Sequence, residues 1–434
     1  MQQVLIFISI LGLYAAGWPL VVGRGGLFRQ PLPAVFYLSM FLFNGVGSFY
    51  VVWPQFSQIG HLSAEINTTF YLIVVVQILV FYLFWFFNLR YRIPSPTSRE
   101  GLAYDQLKPV SLVFWVLSLA MVLLYVFMEG MPYGWTINPL SLGKSEIISM
   151  RTASVQIRLG FLRMGFYYFP IIAALAGMLM WLERRHLGPP PRWPGSLLAM
   201  GQIILGAMLT LAFLHKTPLV MLLFALITGV VLYRQQIRWR FAVLTTGGFI
   251  VLIGMLYLMY NPAREMDSYI TFLLPSIIRR ISGSYTQTLA AVIALVEQRG
   301  TFGGMTLSNP GLLIPYTPVD LPSMLHLEIM GREGNAPVGF AGEGFANFRW
   351  PGVLLFLLLA NGYVFLAQAM VDWFGRRSQA LWTFLAVFFV LTVYQIPISS
   401  ISLTILNPVM LIALAIILAL GIRMKRKERL SHRD

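Results

Sequence analysis

The chain contains no cysteine. Disulfides, thiolate catalysis and cysteine-ligated metals are therefore excluded. Charge is scarce as well. Only 11% of residues are Asp, Glu, Lys or Arg, against roughly 25% in a soluble domain whose surface must be hydrated. Asp occurs five times and never in a D-x-D pair, so the metal-bound nucleotide-sugar site of many glycosyltransferases is missing. There is no G-x-x-x-x-G-K-[ST] phosphate loop, no G-x-S-x-G elbow and no H-E-x-x-H. ATP-driven transport and the commonest hydrolase and zinc-protease chemistries go with them. Any catalysis is expected to need no cofactor and no metal, and to rest on Arg, Lys, Glu and His.

What the chain has in abundance is apolar sequence. Runs near 20 residues recur along its length, the number a helix needs to cross a hydrocarbon core of about 30 Å. They predict an all-α polytopic membrane protein of about eleven spans, near 3–22, 34–53, 68–88, 110–128, 161–182, 196–214, 217–233, 241–260, 351–371, 379–396 and 403–422. No Lys or Arg precedes the apolar core of the first run, so it is expected to be retained as a span and not cleaved as a signal. The net charge of +15 is unevenly placed. Arg24, Arg29, Arg90, Arg92, Arg99, Lys108, Arg184, Arg185, Arg192, Arg234, Arg238, Arg240, Arg376, Arg377 and the basic tail from 423 all fall in alternate connections. The positive-inside rule makes that side cytoplasmic, with the N-terminus outside and the C-terminus inside. The positive charge is thus a topology signal with attraction to anionic lipid, and nucleic acid is not an expected partner.

Two connections on the opposite side are long, 129–160 and 261–350. The expected organisation is 1–260 with eight spans, 261–350 as a large outer loop, and 351–434 with three spans and the tail. The loop opens on an amphipathic pattern. Ile270, Leu274, Ile277, Ile281, Tyr285, Leu289, Val292 and Val296 share one face, and Ser276, Arg280, Ser284 and Gln287 share the other. Such a helix is expected to lie flat at the membrane interface. Glycine and proline punctuate 300–350, which predicts irregular chain. No internal repeat is evident, which weighs against a secondary transporter.

Ionisable groups at or near membrane depth are costly and mark functional candidates. Arg158 and Arg163 stand at the start of the fifth span, and Lys216 beside His215 in the turn between the sixth and seventh. Arg279 and Arg280 are adjacent on the amphipathic helix; only one of two neighbours on a helix can face a given point, and Arg280 lies on the polar stripe. The loop also carries His326, Glu328, Arg332, Glu333, Glu343 and Arg349. A cationic cluster at this boundary suits a lipid-linked diphosphate. Snorkelling to head groups is the competing role for each cation and the favoured one for Arg279; a lone loop histidine such as His326 is more often plain surface.

The stretches 299-RGTFGGMTLSNPGLLIPYTPVDLPSM-324 and 334-GNAPVGFAGEGFANFRWPGVLLFLLL-359 resemble the loop-to-helix junction of the Wzy-type O-antigen polymerases. The turn 215-HKTPLVMLLFAL-226 and the helix start 158-RLGFLRMGFYYFPI-171 resemble that family's basic helix openings, with Lys216 where many relatives carry Arg. The resemblance implies a GT-C-like membrane fold in the bacterial inner membrane. The activity it implies is metal-free joining of undecaprenyl-diphosphate-linked oligosaccharide units at the periplasmic face, alongside a Wzz-type co-polymerase. Arg163, Lys216 and Arg280 would then stabilise the leaving diphosphate, with Arg158, Arg279, Arg332 and His326 in support. Glu343, in the small-residue run 341-AGEGFAN-347, would accept the proton of the attacking hydroxyl; a structural carboxylate paired to an arginine is the alternative role, and His326 is the second choice of base. An O-antigen ligase, a lipid-linked oligosaccharide flippase and a non-catalytic scaffold remain the other readings.

Overall fold

A computed structural model describes residues 2–22, 26–53, 63–90, 103–132, 135, 160–187, 193–210, 216–237, 240, 243–245, 247–248, 283–307, 319–331, 336–375, 378–400, 404–405 and 407–431. Among them every regular element is a helix. These are α1 (Gln2–Val21), α2 (Gly26–Arg29), α3 (Pro31–Met40), a π-helix (Phe41–Val46), α4 (Phe49–Val52), α5 (Ala64–Arg90) and α6 (Ala103–Glu129). Then come α7 (Gly160–Leu187), α8 (Trp193–Thr210), α9 (Lys216–Arg234), α10 (Ser284–Arg299), α11 (Leu321–Met330), α12 (Phe340–Phe374), α13 (Gln379–Val393) and α14 (Pro408–Ser431).

Among the described residues, seven helices are long and apolar enough to cross a bilayer: Gln3–Val21, Pro31–Val52, Glu65–Asn88, Leu107–Glu129, Met164–Glu183, Thr217–Arg234 and Phe340–Phe374. Shorter apolar helices cover Met200–Leu209, Gln379–Val393 and Pro408–Leu420. Phe127 is 89% exposed and Leu123 71%; apolar side chains this bare on a long apolar helix are solvated by lipid. The chain is a multi-pass membrane protein. The expected span 241–260 lies largely outside the described residues, as does the outer segment 136–159.

The chain divides into two compact units. The first is Met1–Pro94, Ile270–Met370 and Phe389–Asn407; the second is Ser95–Tyr269, Val371–Phe388 and Pro408–Asp434. In the second unit α7 is the pillar, buried over 89% of Met164–Glu183 and packed by α6, α8, α9 and α14. Small residues set these contacts: Gly206 of α8 seats against Ala174 and the Pro170 carbonyl of α7 and against Leu222 of α9.

In the first unit a buried polar set marks the middle of the bundle. Gln77 stands halfway along the span Glu65–Asn88 and accepts a hydrogen bond from Asn44 Nδ2 in the π-helix. Tyr285 at the start of α10 faces Gln77, and Tyr14 of α1 faces Asn44. The extra residue of a π turn sits where Asn44 enters this layer.

The segment 261–350 is not simply an outer loop. Tyr285 lies at the level of Gln77, and every residue of α10 from Tyr285 to Val296 except Ala294 is buried, with α5, α4, the π-helix and α11 packed against it. This departs from a helix lying flat with one polar face in water. Two of its buried hydroxyls bond within the helix: Thr286 Oγ1 donates to the Gly283 carbonyl and Thr288 Oγ1 to the Ser284 carbonyl. A threonine bonded to its own backbone does not require water. Residues 270–282 of the expected helix lie outside the described residues.

Candidate functional site

The long helix α12 is two arms. Phe348 (φ −141°, ψ 17°) and Arg349 (φ 52°, ψ −136°) interrupt it, leaving α12a (340–347) and α12b (350–374). The arms fold back on each other. A Cβ added to Gly344 would lie 2.5 Å from the Gly352 carbonyl oxygen, whereas eight residues of continuous helix would separate the two by about 12 Å. Pro351 opens the second arm, where its fixed φ and missing N–H are tolerated.

Contacts along α12 give its depth. Phe340 N–H donates to the Ile396 carbonyl, and Gly339 abuts Tyr285 and the Pro397 carbonyl, so α12a starts level with Gln77. In α12b, Phe365 packs on Phe81 and Phe84, with ring centroids at 6.0 and 5.9 Å. Counting about 1.5 Å per residue back from Phe365 puts the elbow at Arg349 roughly 14 Å above Gln77. The nine-residue climb from Phe340 gives about the same height. Half a hydrocarbon core is about 15 Å, so the elbow lies about half a bilayer's thickness from the level of Gln77, with α12a packed back beneath it. α10 climbs beside α12a, with Gly342 against Leu289 and Val292.

Glu343 lies on α12a, one turn above Phe340, and is 1% exposed. It is thus a carboxylate at membrane depth, flanked by Gly342 and Gly344. Above it, Asn347 ties the turn after α10 to α12a. Its Oδ1 accepts from the Gly304 N–H (3.0 Å) and the Thr306 N–H (3.4 Å). Its Nδ2 donates to Thr306 Oγ1 (2.6 Å) and the Glu343 carbonyl (2.9 Å). The Phe302 and Gly303 amides donate to the Ala346 and Asn347 carbonyls.

At the elbow, Arg349 pairs with Glu297 at 3.7 Å, and Arg299 with Glu328 of α11 at 2.6 Å. α11 is held by Asp320, whose carboxylate accepts from the Ser323 N–H and hydroxyl, and by buried Leu321 and Leu325. His326 is half-buried on α11.

In the second unit, Lys216 is the first residue of α9 and Arg163 lies in the first turn of α7. The two helices run parallel, with Gly206 between Pro170 and Leu222 and Gly229 against Leu175 and Met178. From Gly206 the climb is seven residues to Arg163 and six to Lys216, about 10 and 9 Å, so the two backbones end within a turn of each other. The cluster of Tyr125, Phe166 and Leu209 marks that end. A cation in a helix's first turn opposes the helix dipole, so neither residue is placed there for helix stability.

Arg158, Arg279, Arg280 and Arg332 lie outside the described residues. Sequence pattern alone assigns no role to Asn347, Glu297 or Arg349. Pro351 was the available signal, since a helix starting there leaves 347–350 in a turn. No family model matches the chain, and neither curated proteins nor solved structures yield a match. The fold defines a class, a polytopic membrane protein with a broken, re-entrant helix, and nothing narrower.

Proposed function

We propose that this protein is a metal-independent glycosyltransferase that polymerises oligosaccharide units carried on undecaprenyl diphosphate. The observation that carries this reading is Glu343, an ionisable side chain buried at membrane depth on a glycine-flanked re-entrant arm, a position where charge is retained for function. The basic helix openings of the sequence, with Arg163 and Lys216, belong to the same reading. In the reaction, the acceptor sugar hydroxyl attacks C1 of the donor sugar. The C1–O bond to the diphosphate breaks, with its electron pair leaving on the diphosphate oxygen, and the hydroxyl proton passes to Glu343. Arg163, Lys216 and Arg280 stabilise the negative charge of the leaving group, with Arg158, Arg279, Arg332 and His326 assisting substrate binding. Placement in the inner membrane with the N-terminus periplasmic and a Wzz-type co-polymerase as partner belong to the same reading.

The test is reconstitution of the purified chain with lipid-diphosphate-linked oligosaccharide and no divalent metal. Formation of longer lipid-linked chains supports the reading. Transfer only when lipid A core is supplied identifies a ligase, and transbilayer movement without new linkages identifies a flippase. No product in any of the three assays removes the proposal.

A further inference from the structure

We infer that the elbow of α12 is a glycan-binding subsite, formed by Arg349, Glu297, Arg299, Glu328 and Phe348, which takes uncharged sugar hydroxyls and not the diphosphate. The inference rests on the glycosyltransferase reading for its biological meaning, but its evidence is separate.

Arg349 is the first observation. Its φ of 52° with ψ of −136° belongs to a region that side chains avoid, and a residue persists there only where its surroundings hold it. The surroundings enforce the bend. Gly344 and Gly352 meet backbone to backbone, and Asn347 pins the neighbouring turn. Glycine would adopt the same dihedrals without strain, so the backbone does not call for arginine there. What arginine adds is a guanidinium, half exposed, at the elbow.

The second observation is charge pairing. Each elbow cation already has a carboxylate, Arg349 with Glu297 and Arg299 with Glu328. The four groups sum to zero, so the patch offers a diphosphate no net attraction. Uncharged hydroxyls are a better match. A half-exposed carboxylate accepts from a hydroxyl, the guanidinium beside it donates to the next, and these charge-assisted bonds are strong without requiring net charge on the ligand. Glu297 and Arg299 both belong to the last turn of α10, which places both pairs at the same end of that helix.

The third is the ring of Phe348. It is 40% exposed and lies against Gly304, leaving one side bare beside the charged pairs. Aromatic rings offer an apolar surface to the C–H face of a sugar. The subsite lies about half a bilayer's thickness from the level of Gln77, the depth at which glycan attached to a membrane lipid emerges into water.

The test uses the full chain in nanodiscs, fluorescently labelled, on an array of uncharged bacterial oligosaccharides, with inorganic pyrophosphate as competitor. Wild type should retain uncharged glycans, and millimolar pyrophosphate should leave that binding intact. Arg349→Gly should weaken it about tenfold, the loss of one charge-assisted contact, while its thermal midpoint stays the same or rises as strain is relieved. Glu297→Gln keeps the shape and should weaken binding as well. Absence of glycan retention by wild type, displacement by pyrophosphate, unchanged binding in Arg349→Gly, or a lowered midpoint in that variant each overturns the proposal. Failure of the reaction reading is distinct: glycan retained on the array by a chain that makes no polymer in reconstitution removes the polymerase and keeps the subsite.

Discussion

Gly344 and Gly352 touch through their backbones across the elbow of α12, close enough that a Cβ on Gly344 would meet the Gly352 carbonyl oxygen at 2.5 Å. The obstacle is main chain on both sides, so no side-chain rotation relieves it. Gly344→Ala is therefore expected to cost at least the 1–3 kcal/mol of an overpacked core site. Gly362→Ala on α12b has nothing within 4 Å of the added methyl and should be neutral or gain about 0.5–1 kcal/mol of helix propensity. Thermal melting of the two purified variants checks the contrast, and equal midpoints would remove the backbone contact as the elbow's fastener.

The spans were legible because hydropathy and length answer to the same physical demand. The start of α12b at Pro351 coincides with the expected ninth span, and α1, α5, α6 and α7 cover the apolar runs expected of them. The re-entrant segments were not legible. α10 carries Thr286, Gln287 and Thr288, and polar residues at helical spacing suggest a wet face unless their hydrogen bonds are known to close on the helix itself. The eight residues of α12a are too short to register as a span, and Gly342 and Gly344 suggest loop until the partners that need their missing side chains are seen. Glu343 stands out by its small neighbours, but its depth comes from tertiary contacts, Gly339 against Tyr285 and Phe365 against Phe81 and Phe84. Asn347 carried no signal, because an asparagine that bonds a turn four residues from an acid looks like any loop asparagine.

Asn347 should be the hinge pin of the α10–α12 connection. Asn347→Ala removes four hydrogen bonds and leaves the Gly304 and Thr306 amides to find other acceptors, for a loss of about 1–3 kcal/mol. Asn347→Asp keeps the acceptor and loses the donor, so the Gly304 amide should stay protected from hydrogen exchange. Fast exchange at Gly304 in both variants would show that Oδ1 is not its acceptor.

The first-turn cations are expected to be required for turnover and not for folding. Lys216→Ala and Arg163→Ala should each lose about 2–4 kcal/mol of transition-state stabilisation, as for removal of an oxyanion-type donor, with membrane levels near normal. Lys216→Arg should keep most activity, since both are cations at the same helix start. Long polysaccharide from both alanine variants in a null strain would discard the cationic role.

The orientation can be read from a chain with no native cysteine. Thr301, after the end of α10, is exposed, and Thr301→Cys should react with an impermeant maleimide in intact cells. Reaction only after permeabilisation would overturn the proposed orientation, in which this end of α10 faces the periplasm.

Glu343 is expected to govern rate and not substrate binding. If it accepts the proton of the attacking hydroxyl, Glu343→Gln keeps the shape and removes the basicity, costing roughly 10²–10⁴ in rate. Donor binding, set by the cations, should barely change, so the loss should appear in kcat and not in KM. Glu343→Asp draws the carboxylate back by one methylene and should retain partial activity. A purely structural Glu343 behaves differently. Breaking a buried ionic pair leaves an uncompensated charge, which costs about 3–5 kcal/mol, so both variants would melt early and lose protein from the membrane together. Melting and turnover measured on the same purified variants separate the roles. A normal midpoint with turnover lost supports the base, whereas wild-type turnover in Glu343→Gln eliminates it. The choice then passes to His326, whose position on α11 makes His326→Asn the next variant to measure.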